Sequence, residues 1–531
     1  MKNIKLLDCT LRDGGYINKW NFGNEKIKNI LEKLQAANID IIECGFITGK
    51  EYDKDYSLYN NATDVNTLIN EKEETTMHVA MIAIGEKEIH PSLLCDKKDS
   101  YIDGIRLTFH EQEIEKAFEY GKIIKEKGYK LFMQPVGTTL YTDKKLIELI
   151  EKINGLKPFA FYLVDTLGTL YPTDIQRFMY LIDTNLDNGI AMGFHSHNNL
   201  QLSFSNAQKM LEFNTKRELI IDCSCFGMGR GAGNLCSEMI CEYLNRQYNH
   251  SYNIVPILEI IDEDLMPIFV ESPWGYSAGY YLSAINYCHP NYASYLLSKQ
   301  TIPVRTINGL LNQLPEKERG IFNKSLMEEL YQKYQENFIN DQEDLLKLKE
   351  IIGGKEVLLL GSGPSIDSSK KEICEYIKKY NPLVVSINFL PKDIETDLIF
   401  ISNNKRYNKY IQDIDKQKII VTSNIKEADN NLLIVNYSEL LNTSYYVSDN
   451  AGLMLIKLLI NLNIRNISIA GMDGFNKNLA NNYVEEDMVG TIDSYQIETK
   501  NQEMAKEIAN FSKLVNIKFI TPSKYTEGNE K

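Results

Sequence analysis

The sequence predicts an α/β protein in three parts: a (β/α)8 TIM barrel of eight parallel strands, a helical extension, and a second, Rossmann-like α/β domain. Three observations predict it. Over the first ~240 residues, short β-branched runs alternate with amphipathic stretches, as crossover helices between parallel strands require. Polar residues able to do chemistry gather at the C-terminal ends of those runs, where barrel active sites sit. After Gly353-Gly354 the pattern restarts with EVLLLGSGPSID, which reads as a buried strand, a Gly-rich turn and a helix start.

The eight strand candidates are Ile4–Leu7, Ile39–Phe46, Met77–Ile84, Gly104–Thr108, Lys130–Val136, Ala160–Val164, Ile190–His195 and Glu218–Cys225. Between them, stretches such as Glu25–Ala37, Glu111–Lys127, Asp143–Ile153, Thr173–Asp183 and Leu200–Phe213 place apolar residues at three- and four-residue spacing, the mark of a helix with one buried face. Number and length together match the barrel, with an open doubly wound sheet as the alternative. The barrel is expected over 1–248. Residues 249–352 turn helical and rich in Tyr, Leu and Glu, and 353–531 supply VLLL, VVSINF, DLIFIS, KIIVTSN and NISIAGMD as strands of the second domain.

Composition sets the class. With 531 residues, 43% of them hydrophobic and 24% charged, the chain can bury more than one core. A net charge of −14 argues against nucleic acid or an anionic membrane as the main partner. No apolar run approaches the ~20 residues that span a bilayer, and MKNIKLLDCTLRDGG lacks a signal peptide's apolar core, so a cytoplasmic protein is expected. Self-association into a homo-oligomer is left open. The nine cysteines read as reduced thiols, and Cys223 and Cys225 place two small side chains on one face of a strand.

The strand ends carry the chemistry. Asp8, Thr10, Arg12 and Asp13 follow the first strand, Glu43 lies on the second, Asp165 ends the sixth, and His195-Ser-His197 ends the seventh. Two histidines two apart on an extended strand end point to the same side, at a separation one cation can bridge. Such a pair can also be two core histidines satisfied by backbone. Here they face Asp13 from another strand, in a chain with seven histidines, which favours a ligand set. Imidazole and carboxylate ligands with open positions suit Mn, Co, Zn or Mg.

In that order, LLDCTLRDGG, IIECGF, HSHNN and GMGRGAGN resemble the DRE-TIM metallolyases, whose members include hydroxymethylglutaryl-CoA lyase, isopropylmalate and homocitrate synthases, and 4-hydroxy-2-oxovalerate aldolase. The resemblance covers residues 1–245. It implies Asp13, His195 and His197 as metal ligands, with Asn234 completing the shell in some members. It also implies Arg12 as the cation that stabilises an enolate oxygen and Glu43 as the group that orients it. The loop Gly227, Gly229, Gly231, Gly233, Asn234 resembles the aldolase branch more than the synthases, whose loop contains a Glu-Arg pair. A metal-dependent aldolase acting on pyruvate or a 4-hydroxy-2-oxo acid is therefore expected, with an acyl-CoA Claisen-type synthase as the alternative. The aldolases place His three residues after the metal-binding Asp, where this chain has Tyr16. Tyr16, with a reference pKa of ~10, would act as a hydrogen-bond donor rather than a base. His110 is a candidate base or a surface histidine. Gln134, Asp165 and Thr166 either line the substrate pocket or cap strand ends.

The GSGPS turn places backbone amides at a helix start, a ready anion site, or serves only as a tight strand–helix connection. With SINF, SNNKRY, SDNAGLMLIKLLINLNI and ISIAGMDGF, the domain resembles sialyltransferase-like nucleotide-binding proteins of surface-glycan synthesis. Gly361, Gly363, Pro364, Ser365, Asn388 and Asp473 fall on the motifs that would face a nucleotide or nucleotide-sugar. All seven histidines lie at or before His289, so the catalytic histidine of those sialyltransferases has no counterpart. A nucleotide-sugar-binding, bifunctional transferase and a structural assembly domain are both kept as readings, with surface-polysaccharide sugar synthesis as the setting.

Overall fold

The structure is a computed structural model that describes residues 3–69, 75–412, 414–415, 418–429, 431–444, 446–476, 481–485 and 494–526. Eight parallel strands form the barrel: β1 (Ile4–Asp8), β2 (Ile41–Ile47), β3 (Met77–Ala83), β4 (Gly104–Phe109), β5 (Lys130–Pro135), β6 (Ala160–Asp165), β7 (Ala191–Ser196) and β8 (Leu219–Cys223). Closure is explicit. β1 pairs with β8 from Ile4↔Leu219 to Asp8↔Cys223, and with β2 at Leu7↔Ile41 and Asp8↔Ile42. An open sheet is thereby excluded.

These strands read as near-continuous apolar runs because both faces are covered. Leu7, Ile41, Val79, Phe132, Tyr162 and Ile220 pack together inside the barrel. Gly193 on β7 is required there, since a Cβ would come within 2.3 Å of the Tyr162 ring on neighbouring β6. Outside, the helix Asn24–Ala36 turns Ile27, Ile30, Leu31 and Leu34 inward, the three- and four-residue spacing that defined it in the sequence. It stops before Asn38, whose φ of 60° is a left-handed turn that Asn tolerates. Asp143–Leu156, Pro172–Asn185 and Ser203–Glu212 repeat the scheme.

The expectation of eight strand–helix units is corrected at two places. Among the described residues, the crossover after β2 carries a two-residue strand, Leu58–Tyr59, and a 3₁₀ turn, Ala62–Thr67. The crossover after β3 carries only the 3₁₀ turns Pro91–Leu93 and Lys97–Asp99. Neither segment has the apolar spacing a longer helix needs to bury a face.

The chain divides into two compact units. One runs to Asn291 and takes in Pro315–Phe322; the other comprises Tyr292–Leu314 and the chain from Asn323. The helical stretch expected over 249–352 is thus shared between them. The second unit holds a seven-stranded, all-parallel sheet: β9 (Val357–Leu360), β10 (Leu383–Ile387), β11 (Leu398–Ile401), β12 (Ile419–Thr422), β13 (Leu433–Val435), β14 (Asn466–Ala470) and β15 (Asn516–Phe519). Their spatial order is 13-12-11-10-9-14-15, so the order reverses between β9 and β14. Apolar clusters cover both faces of this sheet.

Candidate metal centre and its surroundings

The barrel's C-terminal mouth gathers one buried ionic network from five strands. Arg12 donates from Nε to Glu43 Oε2 at 2.8 Å and from Nη1 to Asp13 Oδ1 at 2.5 Å. Arg106, with no exposed side-chain surface, donates from Nη1 to the same Glu43 oxygen at 2.5 Å and from Nη2 to Asp222 Oδ2. Asp222 Oδ2 also meets His195 Nδ1 at 3.0 Å. The chain Asp13–Arg12–Glu43–Arg106–Asp222–His195 therefore ties β1, β2, β4, β8 and β7 together.

Local structure explains the position of Arg12 and Asp13. They end a one-turn helix, Thr10–Asp13, held from three sides. The Thr10 amide donates to Asp8, the Thr10 hydroxyl accepts from the Cys225 amide, and Ser57 and Trp20 donate to the Leu11 and Arg12 carbonyls. Asp8 also accepts from Ser237 Oγ at 2.6 Å, so it braces this turn rather than facing the mouth.

Asp13, His195 and His197 are buried and each presents a ligand atom within 4.8 Å of the others. The donor set fits a divalent cation. His195 shares Nδ1 with Asp222, which leaves Nε2 for an ion, the carboxylate–imidazole pairing that orients metal-binding histidines. His197 Nδ1 and Asn234 Oδ1 are buried without a hydrogen-bond partner among the described residues. Asn234 Nδ2 donates to Asp13 Oδ2 at 2.7 Å, which turns its oxygen elsewhere. Burial would raise the Asp13 carboxyl, but Arg12 and the two imidazoles hold it well below the ordinary range. Burial drives His197 down to about 3, so it is neutral at physiological pH, as a metal ligand must be. Gly229 keeps this cradle open: a Cβ there would lie 2.4 Å from Asn234 Nδ2 and 2.6 Å from Asp13 Oδ2.

The remaining expected residues divide. Tyr16 is half-buried, donates to Glu86 at 3.1 Å, and is raised by burial beyond any use as a base. His110 is half-buried, its amide donates to Glu113, and burial lowers its pKa. Gln134 is buried on β5, where it pairs in register with Thr108. Asp165 is pushed up to about 6 by burial, while its oxygens accept from the Thr169 and Leu170 amides. Thr166 Oγ1 accepts from the Gly137 amide at 2.9 Å. Both contacts are strand-end caps.

Four residues were missed: Arg106, Asp222, Arg230 and His289. A signal existed for two of them. GIRLTF and LIIDC each place one charge inside an apolar parallel strand, where it needs a partner of opposite sign. His289 lies far along the chain, yet it is buried, and its pKa is lowered to about 3 by burial, with the Arg230 guanidinium adding to the effect.

In the second unit, Gly361, Gly363, Asn388 and Asp473 line a cavity of about 260 Å³ at the carboxyl ends of the strands, with Lys299, Lys324 and Arg406 also on its wall. Pro364 and Ser365 are not part of that lining. At the helix start the Ser365 amide donates to Asp473 Oδ2 at 2.8 Å and its hydroxyl to Asp473 Oδ1. The glycines permit close packing, since a Cβ on Gly361 or Gly363 would strike the Gly471 carbonyl at 2.5 or 2.7 Å.

Residues 3–262 match the HMGL-like family. The chain is 24% identical over 270 residues to 4-hydroxy-2-oxovalerate aldolase of Carboxydothermus hydrogenoformans, covering 50% of this chain and 78% of the relative. It is 24% identical over 289 residues to oxaloacetate decarboxylase of Mycobacterium tuberculosis, covering 52% and 82%. The crystal structure of HMG-CoA lyase from Brucella melitensis superposes with a TM-score of 0.40 at 14% identity, covering 49% of this chain and 96% of that one. The closed barrel and the family match together make residues 3–262 an HMGL-like domain, a member of the DRE-TIM metallolyase superfamily.

Proposed function

We propose that the barrel is a divalent-metal-dependent lyase that makes or breaks a carbon–carbon bond beside the carbonyl of pyruvate or a 4-hydroxy-2-oxo acid. The carrying observation is the cluster of Asp13, His195 and His197, with Arg12 Nη1 2.5 Å from Asp13. A divalent cation held by these three residues and by Asn234 would supply the Lewis acid for a 2-oxo acid. Arg12 supplies a fixed positive charge where an enolate oxygen develops. Of its five N–H groups, Nε–H and one at Nη1 are engaged by carboxylates, which lock the guanidinium plane and leave the others for the oxyanion. Glu43 orients that plane. Tyr16 keeps its proton and acts as a donor to a substrate oxygen by exchanging its bond to Glu86. Gln134, Asp165 and Thr166 form the adjoining wall.

The test is deuterium exchange into the methyl group of pyruvate, followed by NMR with Mn²⁺, Co²⁺, Zn²⁺ or Mg²⁺ added to metal-stripped protein. Metal-dependent exchange supports the reading; no exchange with any ion refutes it. Release of free CoA from acetyl-CoA with a 2-oxo acid would point instead to a Claisen-type synthase.

For the second unit we propose a nucleotide or nucleotide-sugar ligand in the cavity lined by Gly361, Gly363 and Asn388. Its place at the reversal of strand order and its basic wall favour this reading. A thermal shift with CTP or CMP tests it.

A further inference from the structure

Arg230 stands apart from the other arginines of the barrel. Arg12 is paired with Asp13 and Glu43, Arg106 with Glu43 and Asp222, and Arg217 with Asp183. Among the described residues the Arg230 guanidinium makes no ion pair and no hydrogen bond, and its Nε is buried without a partner. It lies on an aromatic ring: the guanidinium carbon is 5.1 Å from the centre of the Tyr16 ring. A planar cation on an aromatic face is held flat, and its N–H edge stays available.

The loop around it is firmly built. The Ala232 amide donates to Asn199 Oδ1 at 2.8 Å, the Asn198 amide to the Gly233 carbonyl at 2.8 Å, and the Gly233 amide to the Arg230 carbonyl at 3.2 Å. Gly231 and Gly233, at φ of 70° and 84°, make turns that other residues resist. Four residues on, Asn234 bonds to Asp13, so the backbone that carries Arg230 is tied to the metal cluster. Tyr16, on whose ring the guanidinium lies, follows Asp13 by three residues, and a Cβ on Gly229, the residue before Arg230, would lie 2.6 Å from Asp13 Oδ2, which places Arg230 beside the mouth rather than on an outer face. The nearby carboxylate of Glu86 is already taken by Lys87 and Tyr16.

We infer that Arg230 receives a second anionic group of the substrate, so that the barrel acts on 2-oxo acids bearing a further carboxylate or phosphate beyond the carboxylate next to the ketone. A guanidinium at the mouth with no protein anion to satisfy it is a site for one from outside, and its fork geometry matches carboxylate and phosphate oxygens bidentately. The inference rests on the proposed reaction and deepens it by naming the substrate class.

Calorimetric titration of the Mn²⁺-loaded, full-length protein tests it with probes that differ in one charged group: 2-oxoglutarate against 2-oxovalerate for a carboxylate, and 3-phosphonopyruvate against 2-oxobutyrate for a phosphate-like group. At least one dianion should bind about tenfold or more tighter than its monoanionic match, the scale of a hydrogen bond to a charged group. The better pair identifies the anion. Arg230→Gln should collapse that ratio toward one, and Arg230→Lys should keep part of it. Equal affinities within both pairs, or a preference that survives Arg230→Gln, would overturn the inference. If pyruvate exchange is present without anion preference, the proposed reaction stands and this inference falls; if no probe binds and no exchange occurs, both fall.

Discussion

Asp222→Asn isolates the residue that orients His195 while keeping its shape. One carboxylate oxygen, Oδ2, serves both Arg106 Nη2 and His195 Nδ1, and the side chain is 1% exposed. An amide oxygen in the place of Oδ2 can still accept from both donors but carries no charge, so both bonds lose their charge assistance, at about 1.5–3 kcal/mol. Removing one partner of a buried ion pair generally costs about 3–5 kcal/mol. Arg106 remains paired with Glu43 at 2.5 Å, so the lower part of that range applies and the barrel should lose about 2–3 kcal/mol. Burial would raise Asp222, but Arg106 and His195 hold it below its ordinary value, so its stabilisation is present above the unfolded carboxyl pKa and fades as pH falls through the folded one. Urea unfolding of metal-free protein reads this term, and Mn²⁺ titration reads the other: with the His195 ring held only by a neutral amide, metal affinity should fall about 10- to 100-fold. Stability loss with Mn²⁺ affinity within about twofold of wild type would refute the orienting role. No loss in either measurement would refute the network itself.

Other consequences follow from single contacts. Gly229→Ala should leave the circular dichroism unchanged and weaken Mn²⁺ binding by about tenfold or more, because its Cβ meets Asn234 and Asp13 inside van der Waals contact; calorimetry checks this. Arg12→Lys should retain metal and slow pyruvate deuterium exchange by about 10²-fold, since a point charge replaces a planar fork. Glu88 accepts from Tyr120, Lys116 and the Gly85 amide, which overcome the effect of burial and hold it at about 2. As a lowered carboxyl it stabilises the fold above its unfolded pKa and loses that contribution as pH falls toward 2, so Glu88→Gln should cost about 1 kcal/mol at pH 6, after allowance for partial exposure, and progressively less at pH 4 and 3 in urea titrations.

Most of the barrel was legible because parallel strands write themselves as apolar runs, and β1 to β8 fall within three residues of their expected ends. What was not legible depended on tertiary contact. The crossovers after β2 and β3 have no periodic face to announce, so counting strands implied helices that are absent there among the described residues. Asp13, His195 and His197 could be named because residue type and strand-end position coincide. Asp165 and Thr166 satisfy the same rule, and their oxygens also accept from loop amides, a contact that spacing alone does not carry. At the GSGPS turn the sequence left two readings open, and the contact that bears on them, from the Ser365 amide to Asp473, comes from more than a hundred residues away in sequence.

The ionic network carries a further argument about what the mouth can hold. Arg12 and Arg106 contribute two positive charges, and Asp13, Glu43 and Asp222 three negative ones, all buried. One negative charge is left over beside two imidazoles, of which His197 is neutral. Buried charge of one sign is costly unless compensated, and a divalent cation at Asp13 would turn the excess from −1 to +1. That residual matches a monoanionic 2-oxo acid. Arg230 then stands one charge beyond what such a substrate neutralises. A mouth built for a monoanion alone would leave a stacked guanidinium without a counter-charge, whereas a dianion balances it.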